Sequence, residues 1–171
     1  MRLRNEIRTS RGSSPSELEF TELLAAPEFQ QAKVIASYHS FGDEPNTEQL
    51  NREILKLGKQ LLLPVLLPDR SLEFRLWDGD VSNLARNGNL SEPIGPKFAN
   101  SIDLIIVPAL AVDKEGNRLG RGGGSYDRAL HEYKVFSIAL INERELLEVL
   151  PAELHDEKVS AVLAGKRLIR F

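Results

Sequence analysis

Residues 101–130 read SIDLIIVPALAVDKEGNRLGRGGGSYDRAL. The run LIIV at 104–107 is short and apolar, which predicts a buried strand, and Pro108 stops it because it has no N–H to give to a ladder. From Tyr126 onward, Tyr126, Leu130 and Tyr133 recur at helical spacing and predict a helix over 126–133. Between strand and helix lie four of the twelve glycines, Gly120 and Gly122 to Gly124, flanked by Arg118 and Arg121. A strand, a glycine-rich loop and a helix N-terminus together make an anion site: glycine lets backbone N–H groups approach a ligand closely, and the helix end adds partial positive charge.

The common phosphate fingerprints do not fit. G-x-G-x-x-G started at Gly120 meets Ser125 in place of its third glycine, and started at Gly122 it meets Asp127. A Walker lysine followed by Ser or Thr is also missing. A bare glycine cluster is as readily a surface turn. Two arginines inside the loop and an aspartate at the helix start favour a polyphosphate, which guanidinium forks suit and a turn does not need.

The segments VPALAVD (107–113) and GNRLGRGGGSYDR (116–128) closely resemble the signature of the 5-formyltetrahydrofolate cyclo-ligase family, also called 5,10-methenyltetrahydrofolate synthetases. The match is long and ordered, and it spans strand, loop and helix together. The resemblance is strong over 101–130, moderate over 33–57 and weak at both ends.

The bulk properties agree with such a protein. A chain of 171 residues is about one domain and can bury roughly two-thirds of its unfolded surface. A formal charge of −3 argues against nucleic-acid binding through net positive charge. No apolar run reaches transmembrane length, and MRLRNE at the start lacks the apolar core of a signal peptide, so a cytoplasmic protein without membrane partners is expected. The lack of cysteine excludes a disulfide scaffold, a thiol nucleophile and a Cys-ligated metal, and three dispersed histidines argue against zinc. A monomer is expected.

Along the chain, apolar strands alternate with helical segments. Residues 1–11 form a basic helical pattern with a thin apolar edge at Leu3 and Ile7. Residues 13–17 (SSPSE) signal a helix start for an amphipathic segment over 18–31. Strands are expected at 33–38, 60–67 (with Pro64 arguing against a central position), 72–77, 104–107, 135–141 and 159–163, and an edge strand at 166–171. Helices are expected at 47–57, 126–133 and 142–150, the last ended by Pro151, and residues 78–100 read as a long loop. Trp77 is assigned to the core in preference to stacking on a ligand. The expected fold class is α/β, a single open, mostly parallel sheet with helices on both faces.

The resemblance implies ATP- and Mg²⁺-dependent cyclisation of 5-formyltetrahydrofolate to 5,10-methenyltetrahydrofolate, with ADP and phosphate released. It implies ATP contacts from Arg118, Leu119, Gly120, Arg121, Gly122, Gly123, Gly124, Ser125 and Tyr126, with Arg121 also catalytic. The family opens with a lysine and, four residues later, an arginine that reach nucleotide phosphates. In one register Arg4 matches the arginine and the lysine falls before Met1; in the shifted register Arg4 takes the lysine's place and Arg8 is the arginine. Glu44, in the loop before the Thr47 helix, matches the family's folate-binding acid, and His39, Phe41 and Tyr126 match residues of the folate pocket. Asp127 and Asp156 match its metal-binding positions, and Glu92-Pro93 is similar to a short Glu-Pro element. Ser125 stands where most relatives carry the first of two tyrosines. As bare residues, Glu44 and Asp127 also read as helix-end charges. Two other classes stay open on the sequence: a non-catalytic nucleotide- or phosphosugar-binding protein, and a relative of sugar-phosphate isomerases or CoA-transferases on the same sheet.

Overall fold

The computed structural model describes residues 2–12, 18–151 and 156–171. Its elements are α1 (Arg2–Gly12), α2 (Thr21–Ala25), α3 (Pro27–Gln31), β1 (Val34–Ala36), α4 (Glu48–Lys56), β2 (Gln60–Leu66), β3 (Leu72–Leu76), β4 (Leu84–Asn87), β5 (Leu90–Pro93), β6 (Leu104–Pro108), β7 (Ala111–Asp113), β8 (Arg118–Leu119), α5 (Ser125–Tyr133), β9 (Phe136–Ile141), β10 (Leu146–Leu147), β11 (Ala161–Ala164) and β12 (Arg167–Arg170). Seven strands form one open sheet in the order β12-β11-β9-β6-β1-β2-β3. The five inner strands are parallel to their inner neighbours, and only the outer pairs, β11 with β12 and β2 with β3, are antiparallel. The expected mostly parallel sheet is therefore present, and two small sheets, β10-β7-β8 and β4-β5, accompany it.

Alternation along the strands builds two cores. Leu104, Ile106, Ile138 and Leu140 face one side, where they pack with Leu23 and Phe29 from α2 and α3 and Leu50 and Ile54 from α4. Ile105, Val107, Ala139 and Ile141 face the other, against Ala129 and Leu130 of α5. Buried on both faces, these inner strands read as continuous apolar runs, as parallel strands do. Each fully buried Leu or Ile contributes about 1.5–3 kcal/mol of transfer free energy. A third cluster seats α1: Leu3 and Ile7 pack against Leu110, Ala111, Leu119 and Leu150.

The helix placement locates the crevice. From β1 the chain crosses one face through α4 to β2. From the neighbouring β6 it crosses the opposite face through α5 to β9. The carboxyl ends of β1 and β6 are thus the switch point of the sheet, where open α/β folds leave room for ligands.

Several expectations need correction. The segment 18–31 is two one-turn helices, because Pro27 starts α3 and forces Ala26 into an extended conformation (ψ 136°). The signal assigned to 13–17 lies outside the described residues. Residues 142–150 do not form a helix. Asn142 and Glu145 close a capping box over a single 3₁₀ turn, and Leu146 and Leu147 then pair with Val112 and Asp113 as β10. The loop 78–100 holds the hairpin β4–β5, turned by Gly88 at φ 60° and Asn89. Pro64 is tolerated in β2 because β1 pairs only with Gln60 to Leu62 and has ended before it. Trp77 packs against the first core, with its indole N–H on the Asp80 carbonyl at 2.9 Å, in agreement with the core assignment. The edge strand at the C-terminus is β12, antiparallel to β11.

Candidate active site

A cavity of about 1230 Å³ opens at the switch point. Its walls come from the loop after β1, the loop between β6 and α5, the first turns of α1, and the ends of β2 and β5. Every site residue expected from sequence lines this one cavity except Arg8, which joins it indirectly through Asp43.

The glycine-rich loop is shaped by its arginines. Arg118, in the short strand β8, exposes only 3% of its side chain. Its Nη2 donates to Asp127 Oδ1 at 2.8 Å and its Nη1 to the Pro108 carbonyl at 3.2 Å, while its Nε is buried without a hydrogen-bond partner. A Cβ at Gly120 would lie 2.8 Å from Arg118 Nη1, so a side chain there would displace that guanidinium. Gly124, at φ 68°, turns the chain into α5, and no side chain caps that helix, so its first N–H groups face the cavity end of the loop uncapped. Arg4 reaches across from α1 to the Gly120 carbonyl at 3.0 Å.

The loop after β1 is anchored from below. The Tyr38 carbonyl accepts from Thr47 Oγ1 at 2.6 Å and from Asn51 Nδ2 at 3.0 Å, tying the loop to the start of α4. Arg121 crosses from the glycine loop to meet it: Nη2 donates to Asp43 Oδ1 at 2.7 Å, Nε lies 3.2 Å from Glu44 Oε1, and the guanidinium stacks 4.5 Å from the Phe41 ring centroid. Arg8 adds a second cation beside Asp43, at 3.5 Å. His39 meets Trp77 edge-on, with centroids 6.2 Å apart.

Burial pushes the Glu44 carboxyl up from its ordinary 4.5 to about 7, against the pull of Arg121 and of the Phe41 N–H that donates to Oε2 at 3.2 Å. Because the folded value lies above the unfolded one, the stability this group contributes is fully present below pH 4.5 and is lost as pH rises through about 7. Glu44→Gln removes that loss. Urea denaturation should show the variant gaining on wild type by on the order of 3 kcal/mol between pH 4.5 and 8. Equal pH slopes for the two proteins would show that folding leaves the Glu44 carboxyl at its ordinary value. The phenols of Tyr38 and Tyr126 are also raised, chiefly by burial and further by the Glu44 charge.

Asp127 is more than a helix-end charge. It holds a buried arginine, so the mild dipole role that its position suggested understates it. Asp156 and Glu157 line the cavity beside α5, where Glu157 Oε1 lies 2.7 Å from His131 Nδ1. Among the described residues no cluster of three or more His, Asp or Glu is gathered as a metal centre.

Sequence reading missed Arg11, which lines the cavity from beneath yet is 7% exposed. Its partner Glu145 lies 134 residues away, and no local pattern connects them. Asp43 was passed over beside Glu44. Glu92 of β5 is buried and accepts from the Leu66 N–H at 2.9 Å, which gives the Glu-Pro element a place on the cavity wall.

Fold and cavity together define a doubly wound α/β protein with an arginine- and glycine-rich site at its switch point. The 5-formyltetrahydrofolate cyclo-ligase family model matches residues 1–165. The chain is 38% identical over 145 residues to the 5-formyltetrahydrofolate cyclo-ligase of Mycolicibacterium smegmatis, covering 79% of this chain and 75% of that protein. It is 30% identical over 159 residues to the Escherichia coli enzyme of the same name, covering 86% of each. In three dimensions it superposes on the Aquifex aeolicus 5,10-methenyltetrahydrofolate synthetase with a TM-score of 0.79, at 28% identity over 99% of this chain and 91% of the other. The chain belongs to the 5-formyltetrahydrofolate cyclo-ligase family and is an enzyme of it, a ligase of folate metabolism.

Proposed function

We propose that the protein converts 5-formyltetrahydrofolate to 5,10-methenyltetrahydrofolate at the expense of ATP, with Mg²⁺, through a phosphorylated formyl group. The observation that carries this reading is Arg121, which joins the glycine-rich loop to the Glu44 loop across a single cavity. Phosphate-binding elements and a folate-binding acid then face one another at the distance of one guanidinium.

The chemistry accounts for the residues. A formamide oxygen is a poor leaving group, so it first attacks the γ-phosphorus and ADP departs. N10 then adds to the activated carbon, and phosphate leaves with the former formyl oxygen. Phosphoryl transfer asks for positioning and charge neutralisation more than for a strong base. The uncapped start of α5, the loop N–H groups, Arg4 and Arg118 supply the positioning, and the orphaned Arg118 Nε is a buried donor available to an anion. Arg121 neutralises charge on the iminium phosphate. Glu44 accepts the pterin N–H bonds beside Phe41, His39 and Tyr126.

Mg²⁺ takes one or two protein carboxylates and completes its shell with phosphate and water oxygens. Two cavity carboxylates, Asp127 and Asp156, are of the kind and number that such an ion takes. They would hold the ion, and its charge would offset that of the ATP phosphates.

Product formation, followed by absorbance, should require ATP and Mg²⁺ together. Asp127→Asn should raise the Mg²⁺ concentration for half-maximal rate by about tenfold. It should also cost about 3 kcal/mol of stability, because it strands Arg118 in a buried site. Turnover without ATP, or no turnover in a folded protein, would sink the ligase reading; an unmoved Mg²⁺ curve would remove Asp127 from the metal site.

A further inference from the structure

At the end of α1, Arg11 sits beneath the cavity with all three guanidinium nitrogens engaged. Nε and Nη2 grip Glu145 at 2.8 and 2.6 Å, Nη2 also donates to the Ala109 carbonyl at 2.7 Å, and Nη1 donates to the Asp43 carbonyl at 3.3 Å. Both side chains of the pair are 4% exposed. Asp43 immediately precedes Glu44, and Ala109 immediately follows β6. One buried fork therefore pins the loop after β1 to the carboxyl end of β6, the two segments whose separation makes the crevice. Glu145 is held for this task by its own capping box, with Asn142 N–H and Nδ2 each 2.8 Å away.

We infer that Arg11 is a positioning residue for the reaction, fixing the Glu44 loop against β6 so that Glu44 meets the folate at a set distance from the phosphate loop. This rests on the reading of Glu44 as the folate acceptor. A lysine in the same place has one point charge and no fork, so it can keep Glu145 company without holding both carbonyls. The site electrostatics run the same way. The groups facing Glu44 are Arg121, Asp43 and Arg11, with the phenols of Tyr38 and Tyr126; of these, Arg121 and Arg11 favour its ionised form. Arg8 acts on Asp43. Losing Arg11 both loosens the loop and makes Glu44 harder to ionise.

The test uses the full chain and steady-state kinetics from pH 6 to 9, with wild type, Arg11→Lys, and the double variant Arg11→Met/Glu145→Gln, which removes the pair without stranding a buried charge. Wild type should lose kcat/KM for 5-formyltetrahydrofolate below about pH 7, as Glu44 protonates. In the double variant the folate KM should rise about tenfold while the ATP KM moves less than threefold, since Arg4 and Arg118 share no hydrogen-bond partner with Arg11, and the acid limb should move to higher pH. Arg11→Lys, which also serves if the double variant does not fold, should restore the limb but keep a folate KM raised about threefold or more. A folded double variant with wild-type folate KM and limb, or Arg11→Lys raising both KM values equally, would overturn the inference. A wild-type profile with no acid limb would instead strike the Glu44 reading itself and take this inference with it.

Discussion

Arg121→Ala is expected to lower kcat by about 10²–10³-fold, the loss typical of removing one charge-stabilising donor from a reacting centre. Structural damage would not account for it. The Arg121 side chain is 32% exposed, Asp43 keeps Arg8 at 3.5 Å, and the buried Glu44 takes up a proton when its cation is lost, which limits the folding cost. The thermal midpoint should therefore barely move while turnover collapses, and excess Mg²⁺ should not restore it. The rate measured at saturating ATP, folate and Mg²⁺ decides the matter: a fall of less than about threefold would reduce Arg121 to a tether between two loops. The same variant leaves Glu44 without its strongest stabilising cation, so any residual activity should shift towards alkaline pH.

Glu145→Ala should have the largest effect on stability. It leaves the Arg11 guanidinium charged and unpaired in a site where both partners are 4% exposed, and breaking a buried pair from one side costs about 3–5 kcal/mol. It also removes the acceptor for the Asn142 N–H, opening the capping box that begins the turn after β9. The double variant Arg11→Met/Glu145→Gln should recover much of that cost, because no lone charge remains. Chemical denaturation of the three proteins measures the loss and its recovery. A loss below about 1 kcal/mol in Glu145→Ala would mean that water or another carboxylate reaches Arg11.

Much of this molecule is written locally. The inner strands announce themselves because burial on both faces demands apolar runs such as LIIV at 104–107, and the glycine loop because its left-handed backbone at Gly122 and Gly124, with φ 97° and 68°, favours glycine. The arginines of that loop and the acid at Glu44 were legible as residues of a site, and the fold brings them to one cavity. The hairpin β4–β5 carried a readable signal too, the turn pair Gly88-Asn89, which the polar composition of 78–100 obscured. What could not be read is the set of contacts between distant segments. Nothing near Asn142 says that its helix stops after one turn: Leu146 and Leu147 are drawn into pairing with β7, and the Leu150 N–H goes to Asp113. Nothing near Arg11 says that it leaves the solvated face of a basic helix for the floor of the site. The pairing of Asp127 with Arg118 likewise belongs to the loop's folded path, not to the spacing of the two residues.

In the proposed reaction the formyl oxygen is phosphorylated before ring closure. 5-Formyltetrahydrofolate labelled with oxygen-18 in its formyl group, turned over with ATP and Mg²⁺, tests it by mass spectrometry of the products. One labelled oxygen is expected in each inorganic phosphate released; unlabelled phosphate, with the label released as water, would rule out the phosphorylated intermediate.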